Sequence, residues 1–322
     1  MRFLVAPDSF KGTFDAAEVA GAIAAGVEEA GAEADRCPVA DGGEGTMDAL
    51  LGALGGERRP APAHDPLRRP LVAGFALLGD GETAVVETAR AAGLTLVAAE
   101  ERDAERADTY GAGELIAAAL AAGAETVLVA VGGSATTDGG RGAIEALDER
   151  GQLDGVARIE VLCDVQTAFE DAARLFAPQK GAGPAAVERL SARLEELGRR
   201  LPRDPSGIPM GGCAGGLSGG LWAHGARLRP GAAFVLDAVS FNERLAAADA
   251  VISGEGRFDS QSLEGKVVGE IADRCAVART PLHLIVGADA LRGEYPSAVA
   301  TIAAAETLAE MKERAPKLVR GR

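Results

Sequence analysis

Short apolar runs, punctuated by glycine and acidic residues, alternate along this chain with alanine-rich stretches whose apolar positions recur at helical spacing. Arg2–Ala6 reads as a short buried strand that ends at the polar loop Asp8-Ser9-Phe10-Lys11-Gly12. A helix should start near Asp15, because an Asp at the N-cap with Glu18 three residues on is the sequence form of a capping box. Val19, Ile23 and Val27 then fall on one face of that helix. Thr83–Glu87, Thr126–Val131, Ile159–Cys163, Ala250–Ser253 and His283–Val286 read as further strands, and Gly113–Ala122 as one of the alanine-rich helices between them. This alternation predicts an α/β fold with mostly parallel sheets and with ligands gathered at the carboxyl ends of the strands. Pro202–Gly220, dense in Gly and Pro and without period, reads as loop or linker. No internal repeat is visible.

At roughly 100–200 residues per domain, a chain of 322 residues predicts two domains. Strands near residues 251, 284 and 300 are expected to join the first strand in one sheet. That makes a discontinuous domain of residues 1–70 and 245–322, with an α/β domain of residues 71–244 inserted. The hydrophobic fraction of 47% and charged fraction of 25% are those of a folded globular protein. Aromatics are only 4%, so Ala, Val, Leu and Ile must build the core.

A net charge of −15 repels nucleic acid and anionic lipid, so neither is an expected partner. No apolar stretch approaches the roughly 18–20 residues of a membrane span, and the start of the chain, broken by Pro7 and Asp8, is unlike a signal peptide. A cytoplasmic protein, as a monomer or small homo-oligomer, is the expectation. Cys37, Cys163, Cys213 and Cys275 show no C-x-x-C spacing and read as reduced, buried thiols. His64, His224 and His283 have no zinc-ligand spacing.

Candidate chemistry lies in three glycine-dense segments: Asp41-Gly42-Gly43-Glu44-Gly45-Thr46, Gly132–Gly140 and Gly211–Gly220. None is a Walker A loop or a dinucleotide fingerprint. The second follows a strand, where small residues let backbone N–H groups approach an oxyanion. Acids recur after strands as well: Asp8, Asp164, Glu255 and Asp259. Such carboxylates can hold Mg²⁺ together with phosphates, or accept the proton of a hydroxyl; each also suits a helix N-cap or loop. The chain has 28 Arg and five Lys, yet Lys11, Lys180 and Lys266 each sit beside a glycine. A compact ammonium, rather than a planar guanidinium, suits a crowded phosphate site. Lys312 and Lys317 fall in a polar C-terminal helix and read as surface. With no G-x-S-x-G elbow, nucleophilic hydrolase chemistry is disfavoured.

These segments together resemble the bacterial glycerate kinases. The likeness runs through Ala6–Gly12, Pro38–Thr46, Thr109–Ile116, Gly132–Gly140, Cys163-Asp164-Val165, Phe176–Ala182, Ala214–Leu217 and Ser253–Ser262. It implies two α/β domains, one Rossmann-like, with the active site in the cleft between them. The activity implied is transfer of a phosphoryl group from ATP, with Mg²⁺, to D-glycerate, usually giving 2-phosphoglycerate. In that scheme Gly132, Gly133, Ser134, Ala135, Thr136, Gly215 and Gly216 cradle nucleotide phosphates through backbone donors. Lys11, Lys180 and Lys266 neutralise the transferring group, and Asp41 or Asp164 takes the hydroxyl proton. Arg257, with Asp8, Ser9 and Asp259, binds glycerate; Asp41, Glu44 and Glu255 lie near the metal. The chain departs from the family in joining the helix ending near Leu147 to the next strand by Asp148–Ala157 alone, where an extra segment is usual. Thr167-Ala168-Phe169 replaces the usual Asn-Pro-Leu, Thr137 a common Asn, and Arg68 a common Gly. Two rival readings remain open: a kinase of another small hydroxy acid, and a non-catalytic binder of glycerate or nucleotide.

Overall fold

The computed structural model describes residues 1–291, 293 and 295–320, and the chain separates into two compact units. The first comprises residues 1–41, 48–53 and 232–322, and the second residues 42–47 and 54–231.

In the first unit Arg2–Val5 pairs in parallel with Glu33–Arg36 on one side and Ala250–Ser253 on the other. Leu282–Val286 and Val299–Ala304 extend the sheet beyond Ala250–Ser253, again in parallel. Numbered within this unit, the strands run 5-4-3-1-2, the doubly wound order whose switch point lies between the first and third strands. That point sets the chain after Arg2–Val5, which carries Asp8, beside the chain after Ala250–Ser253, which carries Glu255; Asp8 N donates to Gly254 O at 2.9 Å. The helix Ala16–Glu29 begins on the expected capping box, with Glu18 N to Asp15 Oδ1 at 2.7 Å and Asp15 N to Glu18 Oε2 at 3.0 Å. Its Val19, Ile23 and Val27 are buried, packed with Phe3, Val5 and Ile252 from the sheet.

The second unit is built on a six-stranded sheet. Gly56–His64 and Pro70–Leu78 form an antiparallel hairpin, joined by Thr83–Glu87, Thr126–Ala130, Ile159–Cys163 and Arg227–Pro230, the last four mutually parallel. Their shared carboxyl end carries Glu87, the loop after Ala130, and Asp164. Leu115, Ile116, Val127, Val129, Leu147 and Val161 centre its core.

Two expectations need correction. The domain boundary does not fall at residue 70: Gly56–His64 pairs along its whole length with Pro70–Leu78, and both belong to the second unit. Pro60 and Pro62 hide this strand from pattern reading, yet it lies at the sheet edge, where proline is tolerated. The stretch Pro202–Gly220 is not all linker, because within the largely buried segment Cys213–Ala223 a helix follows a left-handed break at Ala214, Gly215 and Gly216. Close packing overrides the poor helix propensity of glycine here. A Cβ on Gly219 would lie 2.4 Å from Phe169 Cδ2, and one on Gly220 2.3 Å from Gly139 O. The four cysteines are buried and free.

Candidate active site

At the switch point of the first unit lies a cavity of about 670 Å³. Its walls bring together Asp8, Ser9, Lys11 and Asp41 with Glu255, Arg257, Asp259 and Lys266, every candidate that the sequence places in this unit. Asp8 is buried just after the first strand and accepts from Ser9 N at 2.6 Å. Burial, followed by the negative charge of Asp41, pushes its carboxyl up to about 8; Lys11 and the Ser9 N–H pull the other way. Asp41 is buried too, with Lys11 Nζ 3.4 Å from its Oδ2.

Glu255 is pushed up to about 7, chiefly by burial, against the opposing pull of the Ser262 hydroxyl and Lys266. Its Oε1 is buried without a hydrogen-bond partner among the described residues. Arg257 Nε rests on Asp259 Oδ2 at 3.1 Å, and Asp259 also caps the turn Ser260–Leu263. Lys266 is the N-cap of the helix Val267–Ala278. Two lifted carboxylates and a buried orphan oxygen describe a site short of positive charge. It suits a cation that arrives with phosphates and needs only one or two protein carboxylates. Among the described residues no group of three His, Cys, Asp or Glu is arranged to hold a metal alone.

Glu306 also lines the cavity and escapes sequence reading. Its position, just after the strand Val299–Ala304, obeys the same carboxyl-end rule that points to Asp8 and Glu255.

The remaining candidates gather in the second unit, around the loop after Thr126–Ala130. Val131 N donates to Gly42 O at 2.9 Å. A Cβ on Gly132 would lie 2.6 Å from Gly43 Cα and 3.6 Å from Asp164 Oδ2, and one on Gly133 would lie 2.2 Å from Glu44 Oε1. Gly132 therefore admits the backbone of Gly43, and Gly133 the Glu44 carboxylate, while Asp164 lies at ordinary contact distance from the loop. Lys180 is 3% exposed, its ammonium donating to Ser134 Oγ at 3.1 Å and to Thr136 O at 2.5 Å. Burial pulls its pKa down to about 8, with Asp138 and Asp164 resisting.

Not every expected backbone donor is available. The Ala135 N–H is bonded to Ala92 O at 2.8 Å, and the Gly216 N–H to Gly212 O at 3.2 Å. Gly215 instead supports the loop: a Cβ there would lie 2.0 Å from Thr136 O. Two buried acids that sequence reading leaves unassigned organise these segments. The Asp138 carboxylate accepts from Thr109 N, Thr109 Oγ1 and Gly142 N at 2.9–3.0 Å. Glu87 Oε1 accepts from Gly45 N and Met47 N, both at 2.9 Å.

The glycerate kinase family model matches residues 3–155 and 152–321. This chain belongs to the glycerate kinase family. The two matched pieces meet at 152–155, within the connection that reads as shorter than the family's usual one. Among its relatives are glycerate 2-kinase of Escherichia coli K12, 37% identical over 89% of this chain and 85% of the relative. Glycerate kinase of Bacillus subtilis 168 is also 37% identical, over 98% of this chain and 95% of the relative. A crystal structure assigned as glycerate kinase 2 of Salmonella typhimurium LT2 superposes with a TM-score of 0.80 at 34% identity, covering 100% of this chain and 99% of that one. The family's α/β architecture is the one described above. Among the described residues no helix is long and apolar enough to cross a membrane.

Proposed function

We propose that this protein transfers the γ-phosphoryl group of ATP, with Mg²⁺, to a hydroxyl of D-glycerate, giving 2-phosphoglycerate. The observation that carries this reading is the first unit's cavity, where Lys11, Lys266 and Arg257 meet Asp8, Asp41 and Glu255 at the carboxyl ends of parallel strands. A small hydroxy acid brings a carboxylate for the cations and a hydroxyl for a base. Arg257 would exchange its contact with Asp259 for the glycerate carboxylate, to which a guanidinium fork is well shaped. Asp8, protonated over much of the neutral range by its raised pKa of about 8, would offer that carboxylate an O–H. Asp41 is the proposed proton acceptor, with Asp164 the alternative from the second unit.

In the transfer the substrate oxygen bonds to the γ-phosphorus while the bond to the bridging oxygen breaks, and ADP leaves with that electron pair. Catalysis of this step is mostly positioning and charge neutralisation. Lys11 and Lys266 would supply charge in the first unit; in the second, Lys180 would act through the loop it holds. Asp41 and Glu255, which share a cavity, fit Mg²⁺ together with the phosphates, and Glu44 is the candidate beside Gly133. When bound, the ion would offset charge on the phosphoryl oxygens. Both units would have to reach one substrate pair during turnover.

The test is to supply D-glycerate and MgATP to the purified protein, follow ADP, and identify the product by phosphorus NMR. Turnover of order 1–10³ s⁻¹ with 2-phosphoglycerate as product is expected. Binding of both ligands without ADP formation would instead mark a non-catalytic binder. A faster rate with another hydroxy acid would move the acceptor assignment.

A further inference from the structure

Two neighbouring strands of the first unit's sheet, Ala250–Ser253 and Leu282–Val286, lead into a second, smaller pairing. Arg257–Phe258 runs parallel to Ala288–Asp289 as a separate two-stranded ladder. Gly287 N donates to Glu255 O at 3.1 Å, Ala288 N to Gly256 O at 3.0 Å and Ala290 N to Phe258 O at 2.8 Å. The approach is close, since a Cβ on Gly287 would lie 2.4 Å from Gly256 O. The segment 255–259 is thus an arm backed by the segment 287–290.

Glu255, Arg257 and Asp259 occupy alternate positions of that arm, the spacing that sets side chains on one face of a strand. All three line the first unit's cavity. Phe258 falls between them and is buried, in the same core cluster as Leu284 and Val286. Arg257 is held differently. Its side chain is 69% exposed, and its side-chain partner among the described residues is Asp259, itself on the arm. Packing does not aim so exposed a guanidinium, so its reach into the cavity depends on the backbone that carries it.

One side chain touches both strands of the ladder. The Tyr295 hydroxyl donates to Asp289 Oδ2, while Asp289 Oδ1 accepts from Leu291 N at 3.1 Å. The Tyr295 ring stacks on Phe258, with centroids 6.3 Å apart and planes 30° from parallel. The bond to Asp289 lifts the phenol above its ordinary pKa, as a hydrogen bond made by the protonated form must. Tyr295 is 38% exposed, and burial alone does not call for a tyrosine there. A phenylalanine would keep the stack and lose the grip on Asp289. Neither Tyr295 nor Asp289 lines the cavity, so neither stands where a substrate would touch it.

We infer that Tyr295 is a positioning residue for the acceptor: through Asp289 and Phe258 it keeps the arm 255–259 in register, so that Arg257 meets the carboxylate of a small hydroxy acid. The inference rests on the proposed role of Arg257, and two measurements on the full chain separate the two. D-glycerate is titrated calorimetrically into wild type, Tyr295→Phe, Arg257→Ala and the double variant, and amide hydrogen exchange is followed at residues 287–290. Tyr295→Phe should weaken glycerate by about threefold to tenfold and speed exchange at 287–290, with its melting temperature near that of wild type. In turnover it should raise KM for glycerate while kcat and KM for ATP stay within about twofold, the mark of lost acceptor binding. In the Arg257→Ala background the same change should add less than about twofold, because the two act as one unit. Asp289→Ala should match Tyr295→Phe, and Asp289→Asn, whose amide oxygen still accepts the phenol, should lose less; if Asp289→Ala fails to fold, Tyr295→Phe decides alone. Wild-type glycerate affinity in Tyr295→Phe overturns the inference, and so does a loss that adds in full to that of Arg257→Ala. An Arg257→Ala variant that binds glycerate as wild type does would sink the acceptor assignment instead, and faster exchange at 287–290 in Tyr295→Phe would still establish the latch.

Discussion

Lysine is where single residues carry most information in this chain. Against 28 arginines, five lysines persist, and the structure divides the three glycine-flanked ones by burial. Lys11, its side chain 57% exposed, and Lys266 line the first unit's cavity, whereas Lys180 is buried and bonded to the glycine loop. Sequence bias finds all three but cannot separate them, since burial depends on what packs above a side chain. The distinction yields different outcomes for one substitution. Lys11→Arg and Lys266→Arg should each lower kcat by at least about tenfold, because misplacing reacting groups by 1 Å can cost on the order of 10²-fold. Their melting temperatures should hardly move, and Lys312→Arg, in the C-terminal helix where Lys312 meets Glu29 at 2.6 Å, should match wild type; full activity in both cavity variants would remove the lysines from the reaction. Lys180→Arg has no room and should destabilise by about 1–3 kcal/mol through overpacking. Lys180 also sets a pH dependence. Its folded pKa of about 8 lies below the ordinary 10.5, so between those values the unfolded chain holds a proton that the folded chain has released. Stability from this group therefore rises with pH across that window, and its burial penalty is present in full below it. Urea unfolding of wild type against Lys180→Met, from pH 7.5 to 10, should show wild type gaining of order 1–3 kcal/mol on the variant. A difference that stays flat with pH would mean the ammonium is not desolvated.

Among the elements, strands were easier to read than the glycine segments between them. Arg2–Ala6, Thr83–Glu87 and Ile159–Cys163 announce themselves as apolar runs, and each matches a strand to within a residue. The segment Gly211–Gly220 misleads because composition reports propensity, while its left-handed break and the helix after it are decided by what lies 2–3 Å from each missing side chain. Gly215 shows this best. Its φ is +66°, and a Cβ would stand 2.0 Å from Thr136 O and 2.7 Å from Thr137 Cα. Gly215→Ala should destabilise by about 2–4 kcal/mol, left-handed strain and backbone collision together, and should weaken nucleotide binding because the displaced atoms belong to the loop that Lys180 holds. Gly31→Ala separates the two causes: its φ is +83° with nothing within 4 Å of the added carbon, so only the strain, about 1 kcal/mol, remains. Denaturation midpoints and ADP titration of the two variants check this. Equal losses would mean that the close approach at Gly215 relaxes freely. The supporting acids Asp138 and Glu87 were not legible as such, since neither the period nor the motif says which backbone N–H groups a carboxylate will collect.

At the scale of the whole molecule, the sheet drawn from both chain ends is legible because its strands are short apolar runs of similar length. Its strand order is not, because pairing is settled by the crossover connections and by which faces the helices cover. Order is nonetheless what matters for function: 5-4-3-1-2 puts the switch point at Asp8 and Glu255, so the cavity there follows from topology and not from any single motif. The candidate residues divide accordingly. Asp8, Lys11, Asp41, Glu255, Arg257 and Lys266 belong to the first unit; Glu44, the loop 132–136, Asp164 and Lys180 belong to the second. If, as proposed, groups of both units act on one phosphoryl group, that group must be kept from water during transfer. Ligands that satisfy both halves should therefore favour a more compact state. Small-angle scattering should give a smaller radius of gyration with D-glycerate and a non-hydrolysable ATP analogue together than for the free protein. Either ligand alone should have less effect, because only the pair brings all of the proposed contacts into play. A radius unchanged by the pair would argue that the units already hold their working arrangement. Contraction by glycerate alone would argue that the acceptor touches both units, and would count against assigning its carboxylate to Arg257 and Asp8 of the first unit by themselves.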